Sequence, residues 1–114
     1  MKTVLFVCTG NVCRSPMAEG IFRHAVHGRD EFRAMSAGVG AATGMPPSDF
    51  AIAACRQVGV DIADIRSRMV TADLVRQVDY IFCMTQGHVQ SITLLYPQAA
   101  EKTFLVLEFI DELH

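Results

Sequence analysis

Charge of one sign is in short supply in this chain: ten Lys and Arg face twelve Asp and Glu, for a formal net charge of −2 over 114 residues. With no global basic field to draw it to nucleic acid or to a membrane surface, neither is expected as a partner. Long apolar runs are lacking as well. The first, Val4 to Val7, is too short to span a membrane, is shorter than the apolar stretch of a secretory leader, and ends in a polar loop. A soluble, cytoplasmic chain is therefore expected. The four cysteines form no Cys-x-x-Cys pair and no His-rich spacing accompanies them, which removes the zinc signatures. In a reducing compartment they are expected as thiols rather than as a disulfide framework. No metal or cofactor is called for. The 51% of residues that are hydrophobic suffice for one sizeable core but hardly for two, so residues 1–114 are read as a single domain.

What is present is concentrated near the start, in Val4-Leu5-Phe6-Val7-Cys8-Thr9-Gly10-Asn11-Val12-Cys13-Arg14-Ser15-Pro16. Val4 to Val7 suits a strand buried on both faces. Ser15 followed by Pro16 reads as a helix opening, hydroxyl at the cap and proline at the first helical position. Met17, Ile21, Phe22, Ala25 and Val26 then recur at helical spacing, with Gly28 as the stop. A loop that delivers a strand to a helix N-terminus gathers backbone N–H groups in one concavity, where the helix dipole adds partial positive charge. That concavity suits a tetrahedral anion. Gly10 and Asn11 tolerate the left-handed conformations such a nest needs, and Arg14 supplies a planar fork for two phosphate oxygens. Cys8 would form the floor, in an environment that favours thiolate over thiol, aimed at bound phosphorus.

The string Val7-Cys8-x-Gly10-Asn11-x-Cys13-Arg14-Ser15-Pro16 resembles the phosphate loop of the low-molecular-weight protein tyrosine phosphatases. A bare Cys-x5-Arg would be weak; the full string directly after the first strand is specific. Other cysteine phosphatases usually place His before the nucleophile, where Val7 stands here. The resemblance implies that Cys8 is the nucleophile, that Arg14 and the loop residues Thr9, Gly10, Asn11, Val12 and Cys13 hold the phosphate, and that Ser15 stabilises the thiolate. It further implies that Asn11, Ser15 and Ser36 brace the loop. Many members add a bracing His before the position of Ser67; Ile65 stands in that place, so no histidine is assigned. Cys13 is read either as a packing residue or as the partner of a reversible disulfide with Cys8.

Along the rest of the chain, Arg33 to Gly38 reads as a second strand and Gly38 to Pro47 as a loop. In the family this loop walls the substrate pocket, often with an aromatic; here it offers Ala41, Ala42, Thr43 and Met45, so a phosphotyrosine ring loses a stacking wall worth about 1 kcal/mol. Pro47 and Ser48 open a second helix with Phe50, Ala51, Ala54, Cys55 and Val58 on one face and Gly59 as stop. Arg66 and Arg68 read as surface charges. Thr71 to Gln77 is a short helical segment, Val78 to Met84 a third strand, Gln86 to Tyr96 a helix with Val89, Ile92, Leu95 and Tyr96 inward, ended by Pro97, and Phe104 to Leu107 a fourth strand. His88, at a helix start, reads as a surface residue. Strands alternating with helices predict an α/β three-layer sandwich around a four-stranded parallel sheet, with the phosphate loop after the first strand.

Family members continue past the position of His114 into a loop with an Asp-Pro pair and a last helix, so relative to the family the domain is expected to be C-terminally incomplete and its general acid to lie beyond His114. Asp111 is the nearest carboxylate and reads as an exposed charge. Cys8 to Glu19, Met84-Thr85 before His88, and Phe104 to Phe109 most resemble the bacterial branch that includes protein-arginine phosphatases. There a loop threonine helps select phosphoarginine, and Val12 matches it without the hydroxyl. The leading expectation is a cysteine-dependent phosphatase acting on phosphotyrosine in proteins, or on small aryl phosphates, through a phosphocysteine. Alternatives are a protein-arginine phosphatase, a non-catalytic phosphate-binding module, and an arsenate reductase of the same fold. The last needs a cysteine relay, but Cys83 falls before Met84, Thr85 stands after it where that branch places its second thiol, and no third cysteine follows.

Overall fold

The structure, a computed structural model, describes residues 1–106. Its elements are β1 (Lys2–Cys8), α1 (Arg14–Ala25), β2 (Phe32–Gly38), α2 (Asp49–Arg56), α3 (Ala72–Gln77), β3 (Tyr80–Cys83), α4 (Gln86–Leu95), a 3-10 turn (Pro97–Lys102) and β4 (Thr103–Leu105). The strands form one sheet in the order β2-β1-β3-β4, all neighbours parallel. This is the expected α/β sandwich. Because the chain winds outward from β1 in both directions, the carboxyl end of β1 lies at the switch point where such sheets bind ligands.

Strand β1 is buried over Val4–Cys8, and its alternate residues feed two layers. Leu5 and Val7 join Ala37, Ile81 and Cys83 under Leu74 and Val75 of α3 and Ile92 of α4. Phe6 faces the other layer, where Phe22 of α1 meets it edge-on at 5.8 Å between centroids. Helix α2 packs beside α1 through Ala51 and Cys55, which close on Val60 and Ile62. Gly20 makes that approach possible: a Cβ there would lie 2.3 Å from Ile62 Cγ2.

Several sequence expectations are corrected. Helix α1 begins at Arg14 with Cys13 at the cap position, so Ser15 is not the cap and Pro16 is not the first helical residue; the Ser15 hydroxyl is turned toward the loop instead. Gly10 is not left-handed; Asn11 alone among the non-glycine described residues is, at φ 56°. A Cβ on Gly10 would meet Val12 Cγ2 at an ordinary 3.7 Å. Ile21, Phe50, Val58 and Leu95, all assigned inward by periodicity, are exposed. Ile21, Phe50 and Leu95 stand on the solvent side of their helices and Val58 lies past the end of α2, so the buried stripe is narrower than the apolar one. Pro97 opens a 3-10 turn as it ends α4. The fourth strand starts one residue earlier than expected; Leu107, like Asp111, lies outside the described residues.

Candidate active site

Cys8 ends β1 and its thiol is held from two directions. Ser15 Oγ lies 2.8 Å from Cys8 Sγ, and the Asn11 amide donates to the same sulfur at 3.2 Å. The left-handed turn at Asn11 is what folds its N–H back onto the sulfur. Among the described residues, the amides of Gly10, Val12 and Cys13 have no acceptor, and the first amides of α1 are open as at any helix start. Arg14 is exposed and makes no hydrogen bond or ion pair among the described residues. The loop thus leaves three unmatched amides close in sequence to a buried sulfur, with the exposed Arg14 opening the helix that follows, which is the chemistry of a tetrahedral oxyanion site.

Behind the loop runs a fully matched polar chain. Asn11 is 1% exposed; its Nδ2 donates to Ser15 Oγ and to Ser36 Oγ, each at 2.9 Å, and its Oδ1 accepts from the Arg68 amide at 2.9 Å. Ser36 Oγ in turn donates to Glu19 Oε1 at 2.6 Å, and the other Glu19 oxygen pairs with Arg23. These contacts fix every proton in sequence. A carboxylate only accepts, so Ser36 must spend its proton on Glu19 and accept from Asn11. Both Asn11 N–H bonds are then used, Ser15 accepts one of them, and the single Ser15 proton is left to point at Cys8. Asn11 is anchored by the Arg68 N–H, and Ile65 packs against the second core.

The pocket wall is anchored by the same segment. Ser67, buried, donates to the Ala42 carbonyl and accepts from the Met45 amide at 2.8 Å. Gly38 N–H donates to the Arg68 carbonyl at 2.9 Å. Arg66 and Arg68 keep exposed side chains, as expected. Cys13 is half-buried and packs against the α2 core, and all four cysteines are free thiols. Burial pushes the Cys83 thiol up to about 12 and the Cys55 thiol upward as well.

One residue of the site was misread in the sequence. His88 is buried, 6% exposed, with Nε2 2.8 Å from Thr9 Oγ1. Burial lowers its pKa, and the Arg14 charge lowers it further. Only the capping pattern Thr85-x-x-His88 at the start of α4 hinted at it, since the ring nitrogen and the amide both use Thr85 Oγ1.

With this geometry in hand, comparison with known proteins decides the family. A family model described as low molecular weight phosphotyrosine protein phosphatase matches residues 3–114. The chain belongs to the low-molecular-weight protein tyrosine phosphatase family. It is 36% identical over 104 residues to a probable low-molecular-weight protein-tyrosine-phosphatase, EpsP, of Ralstonia solanacearum, covering 91% of this chain and 70% of that one. It is also 36% identical over 107 residues to a protein-arginine-phosphatase of Geobacillus stearothermophilus, covering 94% and 70%. The crystal structure of a low-molecular-weight protein tyrosine phosphatase from T. tengcongensis superposes with a TM-score of 0.90 at 40% identity, covering 96% of this chain and 76% of that one. Members of this phosphatase family are phosphoric monoester hydrolases that use a cysteine, and the chain is a hydrolase of that type. Among the described residues, no helix is long and apolar enough to cross a membrane.

Proposed function

We propose that the substrate is phosphotyrosine in a protein, or a small aryl phosphate, and that Cys8 is the nucleophile. The observation that carries this is the Cys8 sulfur at the end of β1, contacted by the Ser15 hydroxyl and accepting the Asn11 N–H, in a loop whose Gly10, Val12 and Cys13 amides are unmatched. Cys8 Sγ attacks phosphorus, an S–P bond forms as the P–O bond to the leaving group breaks, and water then returns the thiolate and inorganic phosphate. Arg14 and the amides of Gly10, Val12 and Cys13 hold the equatorial oxygens through both steps. Ser15 and Asn11 stabilise the sulfur when it is charged, and Ser36 holds Asn11 in place.

The leaving oxygen needs a proton. Among the described residues no carboxylate is hydrogen-bonded to the loop that holds the anion; Glu19 is engaged by Ser36 and Arg23. The general acid is taken from the family resemblance, as an Asp outside the described residues, where it would contribute about 10²–10⁴-fold. A chain assayed without that acid should turn over p-nitrophenyl phosphate, whose leaving group departs unprotonated, far better than an alkyl phosphate. Cys8→Ser should abolish turnover of p-nitrophenyl phosphate while inorganic phosphate still binds. Unchanged turnover in that variant discards the nucleophile.

A second substrate, phosphoarginine, is supported by the pocket wall at Ala41–Met45, which carries no aromatic side chain, and opposed by the apolar Val12. Peptides bearing phosphotyrosine and phosphoarginine, assayed in parallel with the parent chain and Val12→Thr, separate the two. Arsenate reduction is disfavoured by Cys83, fully buried in the sheet and with its thiol pushed up to about 12. The four unpaired thiols support a cytoplasmic setting.

A further inference from the structure

Thr9 follows the nucleophile directly and is exposed at the rim of the hollow, yet its hydroxyl is held by a ring from a distant helix. His88 Nε2 lies 2.8 Å from Thr9 Oγ1, and His88 Nδ1 lies 3.0 Å from Thr85 Oγ1. Thr85 Oγ1 also accepts the His88 backbone N–H at 3.2 Å, capping α4. Counting protons decides the direction of this chain. If Nδ1 carried the ring proton, it would add a second donor to the Thr85 oxygen, the Thr85 proton would have no acceptor among the described residues, and the Thr9 proton would be consumed on Nε2. If Nε2 carries it, Thr85 donates to Nδ1, Nε2–H donates to Thr9, and every interior donor is matched. The one proton left over is then that of Thr9, at the exposed rim beside Cys8, where an oxyanion can take it. The second arrangement costs less, because the hydroxyl left unmatched is that of the exposed Thr9 and not that of the half-buried Thr85.

We propose that His88 is a positioning residue that turns the Thr9 hydroxyl into a hydrogen-bond donor to a phosphoryl oxygen, which makes Thr9 a substrate contact through its side chain. The proposal deepens the phosphatase reading and rests on it. It requires a neutral ring. Burial and the nearby Arg14 guanidinium both keep the proton off His88. Arg14 is the one charged group recorded as acting on the ring, and Thr9 and Thr85 are the polar side chains that contact it among the described residues.

The test uses the full chain and four variants, Thr9→Val, His88→Phe, His88→Gln and Thr9→Val with His88→Phe. Two functional readouts are taken: protection of Cys8 from iodoacetate by inorganic phosphate, and kcat and KM for p-nitrophenyl phosphate. Loss of one hydrogen bond to a charged oxygen should weaken phosphate protection about tenfold in Thr9→Val and in His88→Phe. The double variant should be no weaker than either single one, and His88→Gln, whose amide N–H can reach the same oxygen, should recover most of the loss. The imidazole nitrogen-15 shifts of the parent chain should show protonated Nε2 and bare Nδ1. Additive losses, an unaffected His88→Phe, or a ring protonated on Nδ1 would each overturn the proposal. Should His88→Phe fail to fold, the glutamine variant and the ring spectrum still decide. If the parent chain hydrolyses no aryl phosphate, the phosphatase reading fails by itself, and phosphate protection still reads the role of Thr9 and His88.

Discussion

At the scale of single residues, the site depends on directions of protons more than on positions of heavy atoms. Glu19 touches neither the loop backbone nor the sulfur, but it is the acceptor that settles which way Ser36, Asn11 and Ser15 point. Glu19→Leu should therefore lower kcat on p-nitrophenyl phosphate by about tenfold or more, less than the 10²–10³-fold that removing a direct transition-state donor costs. Ser15→Ala, which removes the donor itself, is the reference. Equal activity of Glu19→Leu and the parent chain would show that the Ser15 proton needs no remote anchor. His88 makes a separate prediction about pH. Its folded pKa lies below the ordinary value of 6.5, so as pH falls below 6.5 the unfolded chain takes up a proton that the folded chain refuses. Stability is thus full above 6.5 and declines as pH drops through the folded pKa. Urea unfolding at pH 7.5 and at pH 5 should show this decline in the parent chain and a shallower one in His88→Gln.

At the scale of elements, what positions the loop is how closely β2 and its following turn approach it. Gly38 ends β2 beside Cys8, and a Cβ there would sit 2.3 Å from the Thr9 carbonyl oxygen and 2.9 Å from Ala41 Cβ. The obstacle is backbone, which cannot step aside without moving Thr9. Gly38→Ala is expected to destabilise by about 1–3 kcal/mol and to lose phosphate binding as well; a thermal melt with and without phosphate separates the effects. If the variant keeps its full phosphate-induced rise in Tm, the loop tolerates displacement. The same scale explains what was readable in the sequence. The strand, the loop string and the helix behind it are contiguous, so their order and chemistry could be read directly, as could the opening of α2 at Ser48. Contacts across the chain could not. Ser36 was assigned through the family resemblance, whereas the anchoring of Asn11 by the Arg68 amide, 57 positions away, has no local signal. His88 was misplaced because a lone histidine in the first turn of a helix gives no periodic cue to burial. Ile21, Phe50, Val58 and Leu95 failed in the opposite sense, since periodicity reports apolar spacing and says nothing of how wide the neighbouring layer is.

At the scale of the whole molecule, the described residues cover the two faces of the sheet unequally. Parallel sheets are ordinarily buried on both sides. One side carries α3 and α4 over Leu5, Val7 and Ile81. On the other, Phe22 of α1 covers Phe6, while α2 lies against α1. Beyond them Tyr80, Phe82 and Phe104 stand in a row across β3 and β4, with centroids 6.3 Å and 5.7 Å apart. Tyr80 is 38% and Phe104 37% exposed, and with Val4, Phe6 and Val106 they line a groove of about 540 Å³. An apolar groove of that extent is large for a surface otherwise rich in polar groups. The folded protein should therefore enhance the fluorescence of an anilinonaphthalene dye, and Tyr80→Ser and Phe104→Ser should each weaken that signal. Phosphate should not compete with the dye, because the hollow at the end of β1 is built from loop amides and Arg14, whereas the groove is built from ring faces. Competition by phosphate would mean that the dye reads the loop, and an undiminished signal in both variants would place its site away from the aromatic row.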